Sequence, residues 1–571
     1  MTVPWDSTFE QILRAQLPGA EPAADTPLTH YGLDSMGMLR LGRTLGQRYG
    51  IDLRSFDERA FRSVEALWAF VDRHASHPPV ELVRPLIDWF ARSAVAHPDA
   101  ACVIEGDRTT TYAEMAAQAS ALAATIGDGG VVAVLGEREA ATYRAYLAAL
   151  YAGAAVVPLS LDFPPARNAE IARQAGVRCV VHTDERANPV VAAQLAAMGE
   201  LRTVDARATP EPGPHRAAVP EVPADQVAYF IFTSGSTGGP KGVGITHGNV
   251  HAFLTQAMPA FAVGPGDIFS QCHGLTFDFS VFEMWGAWST GAALLPVSRL
   301  QALDPADTAN RYGVTVWACT PSLLDSAASA GHLAPGSLPR LRHLVIGGEP
   351  LPRGTVEAAR AAAPLAIVDN VYGPTEATIW ATTHRMAPGD AVPDGRILPI
   401  GTPAPTVRVR LGADGELLLG GPQVFHGYLD AALTAAKFTH EDGADWYRTG
   451  DLAEWDEAGL LHHLGRIDGQ VKVRGYRVEL GEIEKVAAGV LGGARVAAVR
   501  SGDAGRAELV LFVEASAVDE SAVRRELAKT LPYYMVPRRV FAVASFQLTA
   551  HAKLDRNHLV SLLDDAAAVS A

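Results

Sequence analysis

The sequence predicts a multidomain protein that has a small helical domain, a large α/β core with parallel sheets and a small α+β lobe. Apolar residues recur at helical spacing over the first 75 residues. From about residue 80 to 205, helical stretches alternate with short apolar strands, a pattern typical of parallel sheets covered by helices. The last 100 residues or so contain two predicted strands, 495–500 and 508–514, and a predicted helix, 520–530.

Length, composition and charge exclude several classes of function. The chain has 571 residues, 48% of them hydrophobic, which is enough for a large packed core. Its net charge of −15 argues against a nucleic-acid partner. The four cysteines form no CxxC pair, so we expect neither a zinc site nor a disulfide framework. No apolar run reaches the roughly 20 residues that span a membrane, and the first residues do not resemble a secretory signal. We therefore expect a cytoplasmic protein without a membrane partner.

The first domain is predicted to consist of amphipathic helices. Phe9, Ile12 and Leu13 share one helical face, and residues 38–49 form another helical pattern directly after the segment GLDSM. A third helix is predicted at 65–74. Ser35 of GLDSM stands at a helix start, where a serine is most often an N-cap. The proline-containing segment 75–79 is predicted to be a linker.

The core domain is predicted to open with alternating strands and helices. The predicted strands are 131–135, 155–159 and 177–182, and the predicted helices are 114–126, 138–151 and 166–174. The proline-rich segment 209–225 is predicted to be a surface connection.

The segment 229–242, YFIFTSGSTGGPKG, combines a buried strand with a loop suited to anions. Glycines allow backbone N–H groups to approach an anion, hydroxyls add donors, and Lys241 adds a positive charge. A flexible surface turn is the plain alternative, but it would need neither the apolar strand before the loop nor the Pro-Lys-Gly after it. A Walker loop requires Gly-Lys-Ser/Thr, whereas Pro240 and Gly242 flank this lysine. We predict a phosphate loop of a different family.

Further polar motifs follow in order along the chain. They are FDFS at 277–280, GGE at 347–349, NVYGPTE at 370–376, WYRTGDL at 446–452, GRIDGQVK at 465–472 and LTAHAKLDR at 548–556. The segment HHLGRIDG at 462–469 is only superficially similar to the HHxxxDG of condensation domains. It has four intervening residues instead of three, so we reject that interpretation.

In this order, the motifs resemble those of the adenylate-forming superfamily, and over residues 85–560 they resemble the adenylation domains of nonribosomal peptide synthetases. GLDSM at a helix start resembles acyl and peptidyl carrier proteins. The resemblance implies a four-helix carrier domain at 1–77, an adenylation core at 80–467 and a mobile C-terminal subdomain at 468–571 that turns about Asp468.

The resemblance also implies cofactors and site residues. Ser35 would carry 4′-phosphopantetheine, Lys553 and Lys241 would act on ATP, and Glu376 would hold Mg²⁺, a hard cation that prefers oxygen ligands. The family has Asn-Gly before the last lysine, where this chain has His551 and Ala552. The other implied ATP-site residues are Thr233, Ser234, Gly235, Ser236, Thr237, Gly348, Glu349, Tyr372, Gly373, Thr375, Asp451 and Arg466.

The family pattern also implies a substrate pocket. Its nine residues would be Asp278, Phe279, Phe282, Ala318, Val345, Gly347, Val371, Ile379 and Trp380. Asp278 would pair with a substrate α-ammonium, because a partly desolvated cation needs an opposite charge. It is the only charged residue of the nine, and three of the others are bulky aromatics. The pocket therefore predicts a small neutral amino acid such as glycine, alanine or threonine.

The function implied by the resemblance is ATP-dependent formation of aminoacyl-AMP and its transfer to a phosphopantetheine thiol in nonribosomal peptide biosynthesis. The implied partners are a phosphopantetheinyl transferase, other synthetase modules or carrier proteins, and an MbtH-like helper, which some relatives require. Two alternatives remain open. One is an acyl-AMP ligase or acyl-CoA synthetase-like enzyme that takes an acid without an amine. The other is a carrier–scaffold protein with a degenerate adenylation fold.

Overall fold

The chain folds into two compact units, Met1–Val83 and Arg84–Ala571. The computed structural model describes residues 5, 7–16, 23–31, 33, 35–49, 51, 56, 60–75, 83–127, 129–183, 188–208, 218–235, 239–467, 470–502, 507–547 and 554–570. The predicted boundary between core and lobe, at Asp468, lies outside these residues and stays a prediction. No helix in the described ranges is both long enough and apolar enough to cross a membrane.

The first unit is helical, as the sequence predicts. It contains α1 (Ser7–Gln16), α2 (Ser35–Tyr49) and α3 (Val64–His74), with a short 3₁₀ turn at Leu28–Tyr31. The predicted apolar faces are buried in one core, which includes Phe9, Leu13, Leu41 and Leu45. Helix α2 begins at Ser35, as predicted.

The second unit opens with strands and helices close to their predicted positions. Its first elements are α4 (Leu86–Ala96), β1 (Ala101–Glu105), β2 (Arg108–Thr111), α5 (Tyr112–Ile126), β3 (Val131–Leu135), α6 (Ala140–Tyr151), β4 (Ala155–Leu159), α7 (Pro165–Ala175), β5 (Cys179–His182), α8 (Pro189–Met198), β6 (Arg202–Asp205), β7 (Val227–Thr233), β8 (Lys241–Thr246) and α9 (His247–Ala257). Helix α5 begins two residues before its predicted start, because Thr111 and Glu114 form a capping box there.

Strands β3 to β8 form a six-stranded sheet in the order β6-β5-β3-β4-β7-β8. Its interior pairs are parallel, but β7 and β8 are antiparallel, with Thr233 opposite Lys241. The predicted phosphate loop is thus the connection of a β-hairpin. This hairpin holds the residues before and after the loop side by side.

A second, nine-stranded sheet forms the other half of the core. Its elements after α9 are β9 (Ile268–Gln271), α10 (Phe279–Trp288), β10 (Ala293–Pro296), α11 (Arg299–Leu303), α12 (Pro305–Tyr312), β11 (Val316–Cys319), α13 (Pro321–Ser329), β12 (His343–Gly347), α14 (Arg353–Ala362), β13 (Ile367–Tyr372), β14 (Thr382–Met386) and β15 (Thr402–Pro403). The strand order is β15-β14-β13-β12-β11-β9-β10-β1-β2, and its centre, β13 to β10, is parallel. The predicted fold class is confirmed here, with antiparallel strands added at both edges.

Residues 408–466 form an antiparallel sheet that the sequence analysis did not predict. It contains β16 (Arg408–Leu411), β17 (Glu416–Gly420), α15 (Ala431–Lys437), β18 (Phe438–Glu441), β19 (Ala444–Trp455) and β20 (Leu461–Arg466). Strand β19 pairs with β17, β18 and β20. Pairing with β20 places Asp451 opposite Arg466.

The C-terminal lobe is a small α+β unit, as predicted. It contains the hairpin β21 (Gln470–Val473) and β22 (Tyr476–Glu479), then α16 (Leu480–Val490), β23 (Val496–Ser501), β24 (Glu508–Glu514), α17 (Glu520–Leu527), β25 (Arg539–Val543) and α18 (Arg556–Ser570). Strand β24 has its predicted bounds, whereas α17 ends three residues before its predicted end. The hairpin β21–β22 points into the core and reaches the site described next.

Candidate active site

A cavity of about 360 Å³ lies at the carboxyl ends of the core strands. The ends of β7, β9, β12 and β13 contribute Thr233, Cys272, Gly347 and Tyr372 to its wall. Ligands of open α/β sheets bind at this edge, because the connections after the strands form a crevice there. The hairpin β21–β22 closes the cavity with residues 472 and 474–477.

One end of the cavity is a network around Asp451. The Asp451 carboxylate accepts hydrogen bonds from the Tyr372 hydroxyl at 2.5 Å, the Arg466 guanidinium at 2.8 Å and the His463 ring at 3.2 Å. Burial alone would raise the pKa of Asp451, but His463 and Arg466 lower it well below its usual range. The predicted residues Tyr372, Asp451 and Arg466 are therefore brought together around an ionised carboxylate. His463 joins this network without having had a predicted role.

Lys472 is a second residue without a predicted role. Its ammonium lies 5.7 Å from the centre of the Tyr372 ring. Burial lowers the pKa of Lys472, and the negative charge of Asp451 partly opposes this. A cation beside the Tyr372 ring adds positive charge to the end of the cavity where the resemblance places the nucleotide.

The predicted phosphate loop is described at Thr233, Ser234 and Gly235, whereas Ser236 and Thr237 lie outside the described residues. Thr233 and Ser234 line the cavity. A Cβ at Gly235 would lie 2.0 Å from the Gly239 carbonyl oxygen, so the loop can close here only with glycine. Lys241 lies at the start of β8, with its side chain only 8% exposed.

Groups of this loop contact the C-terminal lobe. The Lys241 ammonium is 2.9 Å from a Glu479 carboxylate oxygen, and the Gly235 N–H donates to Glu482 at 3.1 Å. The Ser234 hydroxyl donates to the Arg477 carbonyl at 2.8 Å and accepts from the Glu479 N–H at 3.1 Å. The groups predicted to hold phosphate are therefore engaged by lobe residues.

Glu376, the predicted Mg²⁺ ligand, is fully buried. Its carboxylate accepts from the Arg477 guanidinium at 2.8 and 3.0 Å and from the Tyr428 hydroxyl at 2.6 Å. Burial alone would raise its pKa, but Arg477 and Tyr428 hold the pKa of Glu376 at about 2. An ionised carboxylate beside a phosphate loop fits the preference of Mg²⁺ for oxygen, although Arg477 must move away first. Among the described residues, no three His, Cys, Asp or Glu side chains form a cluster that could hold a metal ion.

Gly348 and Glu349 lie after β12. Gly348 has a φ of 87°, in the left-handed region that favours glycine. The Glu349 carboxylate accepts from the Ser322 N–H at 3.0 Å and from the Gly475 N–H. In this structure Glu349 therefore holds the turn of the hairpin β21–β22, and its predicted contact with the nucleotide stays a prediction.

The other end of the cavity carries Asp278, just before α10. Burial raises the pKa of Asp278 to about 6, although the Thr375 hydroxyl and His273 lower it. His273 is itself fixed by Glu283, whose carboxylate lies 2.9 Å from its ring nitrogen. Asp278 therefore lacks a full positive partner, and a ligand cation would supply one.

Five of the nine predicted pocket residues line the cavity, and four lie behind it. The lining residues are Asp278, Phe279, Gly347, Val371 and Ile379. The residues behind are Phe282, Ala318, Val345 and Trp380, all of them buried. The Phe282 and Trp380 rings pack edge to face, 4.8 Å apart, and both contact Phe279 at about 6.1 Å. These rings occupy space and keep this end of the cavity small.

Gly347 lies in the cavity wall, where the packing leaves no room for a side chain. A Cβ there would lie 2.8 Å from a Val371 methyl group and 3.3 Å from the Phe279 ring. The backbone at Gly373 is similarly crowded, since a Cβ would lie 2.5 Å from Trp380 Cα. Gly347 thus lets β12 pack closely against β13, and Gly373 lets the end of β13 approach the backbone of Trp380.

Besides Ser236 and Thr237, three predicted functional residues cannot be placed. Lys553 and Asp468 lie outside the described residues, as does the side chain of Ser35. Conversely, Arg477, Glu479 and Glu482 contact predicted site residues directly, although no role was predicted for them. The only signal for them was the run of charges in RGYRVELGE, and such a run is usually a solvated surface.

Comparisons with known proteins identify the families of both parts of the chain. The family of AMP-binding enzymes matches residues 90–429, and the phosphopantetheine attachment site family matches residues 7–70. Phenyloxazoline synthase MbtB of Mycobacterium sp. (strain MCS) is 34% identical over 84% of this chain and 42% of its own length. This chain spans 42%, 6% and 48% of three curated relatives.

Two solved structures have a similar fold. The Vibrio cholerae adenylation domain AlmE, in complex with glycyl-adenosine-5′-phosphate, has a TM-score of 0.74 and 27% identity, over 85% of this chain and 99% of that one. PA1221 in its holo form, a nonribosomal peptide synthetase protein with adenylation and carrier domains, has a TM-score of 0.73 and 29% identity, over 83% and 84% of the two chains. The chain belongs to the AMP-binding enzymes, and it combines that domain with a phosphopantetheine carrier domain, as nonribosomal peptide synthetases do.

Proposed function

We propose that the chain activates a small neutral α-amino acid as aminoacyl-AMP and passes it to a phosphopantetheine thiol in nonribosomal peptide biosynthesis. The observation that carries this proposal is the position of Asp278. It is the only acidic residue among the five predicted substrate-pocket residues that line the cavity, and burial raises its pKa. A substrate ammonium would supply the positive charge that Asp278 lacks.

The small size of the substrate is inferred from the aromatic layer behind the wall. Phe282 and Trp380 are buried and fill the space into which a long side chain would extend. Glycyl-adenosine-5′-phosphate in AlmE is a ligand of the proposed size and charge. One methylene changes discrimination by only about 1–3 kcal/mol, so glycine, alanine and threonine all remain within the proposal.

The proposed reaction has two steps. A substrate carboxylate oxygen attacks the α-phosphorus of ATP, the bond to pyrophosphate breaks, and aminoacyl-AMP forms. The thiol sulfur then attacks the acyl carbon, AMP leaves, and the thiol loses its proton. We assign Tyr372, Asp451 and Arg466 to the nucleotide and Lys241 to its phosphates. Lys553 would offset negative charge where the carboxylate attacks.

Two further sites belong to this proposal. Glu376 would hold Mg²⁺, which would neutralise phosphate charge when bound. Ser35 would carry the phosphopantetheine arm after modification by a phosphopantetheinyl transferase.

The lobe would turn about Asp468 between the two steps, and the anhydride would be protected from water while the site is closed. Synthetase modules, carrier proteins and an MbtH-like helper are the proposed protein partners.

Amino-acid-dependent pyrophosphate exchange tests the substrate class. We expect the strongest signal for a small neutral amino acid in a panel measured with and without an MbtH-like helper. Asp278→Ala should abolish that signal. The strongest signal from phenylalanine or lysine would refute the proposed size and charge. A signal only from fatty or aryl acids would support the alternative acyl-AMP ligase.

Two variants test the assigned residues. Lys553→Ala should abolish exchange, whereas Lys529→Ala should preserve it, because Lys529 is exposed and forms an ion pair with Glu526 at the end of α17. Ser35→Ala should preserve exchange but lose the mass increase that a phosphopantetheinyl transferase produces. Full exchange in Lys553→Ala, or an unchanged mass increase in Ser35→Ala, would refute the respective assignment.

A further inference from the structure

The connection between β13 and β14 has an unusual backbone. After a short 3₁₀ turn, Thr375–Ala377, the chain passes through Thr378 and Ile379. Thr378 has a φ of 54° and Ile379 a φ of 74°, both in the left-handed region that favours glycine. Both side chains are branched at Cβ, and such residues rarely adopt a positive φ because the branch is crowded by the backbone. Two of them in succession make this turn strained.

The strained turn forms part of the substrate-pocket wall. Ile379 lines the cavity, and the next residue, Trp380, belongs to the aromatic layer behind the wall. Each of the two is only 3% exposed. The backbone conformation at Ile379 sets the direction in which its side chain leaves the chain, so a relaxed turn would remove this side chain from its place in the wall. A strained backbone persists only where the surrounding structure holds it.

Gln423 supplies contacts that hold the turn. Its side chain is fully buried, and its amide nitrogen donates to the Ala377 carbonyl at 2.9 Å, to the Thr378 carbonyl at 3.3 Å and to the Trp380 carbonyl. The Thr378 hydroxyl donates to the Gln423 backbone carbonyl at 2.6 Å. One side chain therefore ties together carbonyls on both sides of Ile379. Relaxing the turn would break these buried hydrogen bonds, which is costly.

Gln423 is itself fixed from two directions. The Asn249 side-chain amide donates to the Pro422 and Val424 carbonyls, on either side of Gln423, at 2.8 and 3.0 Å. Asn249 belongs to the capping box at the start of α9. The Thr406 hydroxyl donates to the Gln423 side-chain oxygen at 2.8 Å, so the amide nitrogen faces the turn. The glutamine is thus a rigid support for the turn.

We propose that Gln423 is a positioning residue for selection of the acid substrate. Its amide holds the strained turn, and the turn holds the Ile379 side chain in the pocket wall. Gln423 is neither one of the nine predicted pocket residues nor one of the residues that line the cavity. Selection by size thus depends on a residue that the acid does not touch. This inference rests on the proposed function only in that this end of the cavity binds the acid, whichever acid that is.

Gln423→Met tests the role in selection, because methionine has a similar length and no N–H to donate. The measurement is pyrophosphate exchange with the best acid and with its homologue that is one methylene longer. Their ratio of kcat/KM should fall at least about fivefold in the variant, since a pocket discriminates one methylene by about 10–200-fold. The KM for the acid should change more than the KM for ATP.

Thr308→Val is the matched control for this measurement. Thr308 is 2% exposed, and its hydroxyl donates to the Gln301 carbonyl at 2.9 Å, so the control also removes a buried donor from a backbone carbonyl. Neither of these two residues lines the cavity. The control should keep the ratio of the unmodified chain. An unchanged ratio in Gln423→Met, or an equal fall in Thr308→Val, would overturn the proposal.

A double-mutant cycle with Ile379→Gly gives a second measurement, which needs no substrate. Glycine adopts a positive φ without steric crowding, so Ile379→Gly relieves the strain. The amide of Gln423 bonds the neighbours of Ile379, so coupling between the two positions acts through the backbone of the turn. Gln423→Met should lower the urea midpoint clearly less in the Ile379→Gly chain than in the unmodified chain. If Gln423→Met alone does not fold, the double variant should fold. Equal losses in both chains, or an unfolded double variant, would overturn the proposal.

These outcomes are separable from those of the proposed function. If the best acid is not a small neutral amino acid, but Gln423→Met still lowers its advantage over the longer homologue, the positioning role holds and the proposed substrate fails. If a small amino acid is best and neither the ratio nor the urea midpoints show the expected effect, the proposed substrate holds and the positioning role fails. If no acid supports exchange, the urea midpoints alone decide on the positioning role.

Discussion

Replacing Asp278 with asparagine should stabilise the folded protein while abolishing amino-acid activation. Burial raises the pKa of Asp278 from 3.8 to about 6. At pH 8 the folded chain must therefore keep a carboxylate ionised in a place that disfavours its charge. Asparagine has nearly the same shape and carries no charge, so it removes this cost. The ammonium of the proposed substrate then has no partner in the variant.

The magnitude follows from the pKa difference of about 2, at 1.36 kcal/mol per unit, which gives an upper limit of about 3 kcal/mol. Because Asp278 lines an open cavity and is only partly buried, we expect about 1–2 kcal/mol. The sign is opposite to that of a salt-bridged carboxylate. A raised folded pKa costs stability in full above about pH 6, and the cost disappears as the pH falls from 6 to 4.

Thermal or urea denaturation of the unmodified chain and Asp278→Asn, at pH 8 and pH 5, measures this cost. The variant should have the higher midpoint at pH 8 and a clearly smaller advantage at pH 5. Asp451→Asn is the contrasting variant, because the pKa of Asp451 is lowered and its ionised form stabilises the fold. It should be less stable at pH 8. A loss of stability in Asp278→Asn at pH 8, or a gain independent of pH, would refute the reasoning.

Three more predictions concern the walls of the cavity. Tyr372→Phe removes the hydroxyl that donates to Asp451 at 2.5 Å, so the KM for ATP in the exchange assay should rise at least about tenfold, since a hydrogen bond to a charged group contributes roughly 1.5–3 kcal/mol. An unchanged KM would contradict this. Gly347→Ala would place a methyl group 2.8 Å from Val371, so we expect the folded protein to lose about 1–3 kcal/mol of stability. The value of kcat/KM should fall more for the amino acid than for ATP. Equal losses for both substrates would count against a local effect. Burial raises the pKa of the Cys272 thiol, so iodoacetamide should alkylate it slowly in the native chain and rapidly after denaturation. Mass spectrometry follows the alkylation, and rapid labelling of the native chain would contradict the prediction.

The periodic parts of the fold could be predicted from the sequence. Strand β3 at Val131–Leu135 and strand β4 at Ala155–Leu159 have their predicted bounds. A short apolar run between two amphipathic helices is typical of a buried strand in an α/β core. The antiparallel sheet of residues 408–466 was missed. Its strands are separated by loops of different lengths and by α15. Neither a regular alternation of apolar and polar residues nor a repeat of strand and helix indicates them in the sequence.

The candidate site likewise contains residues that the sequence predicts and residues that it does not. Tyr372, Asp451 and Arg466 could be expected together, because their motifs stand at recognisable places along the chain, and the structure joins them by hydrogen bonds. Arg477 and Glu479 could not be found, because their partners are 101 and 238 residues away. Complementary charges separated by such distances leave no local pattern. Only the packing of the hairpin β21–β22 into the core brings them together.

The two ends of the cavity differ in how far the protein itself stabilises the ionised carboxylate that lies there. Asp451 has three donors, and its lowered pKa shows that its ionised form is stabilised before any ligand arrives. Asp278 has no comparable partner, and its raised pKa shows that its ionised form is costly. The end around Asp451, proposed to bind the nucleotide, is thus organised by the chain itself, whereas the end around Asp278 would be completed by the proposed substrate. The proposed selectivity for an ammonium rests on this difference, because a neutral or anionic ligand would leave Asp278 uncompensated.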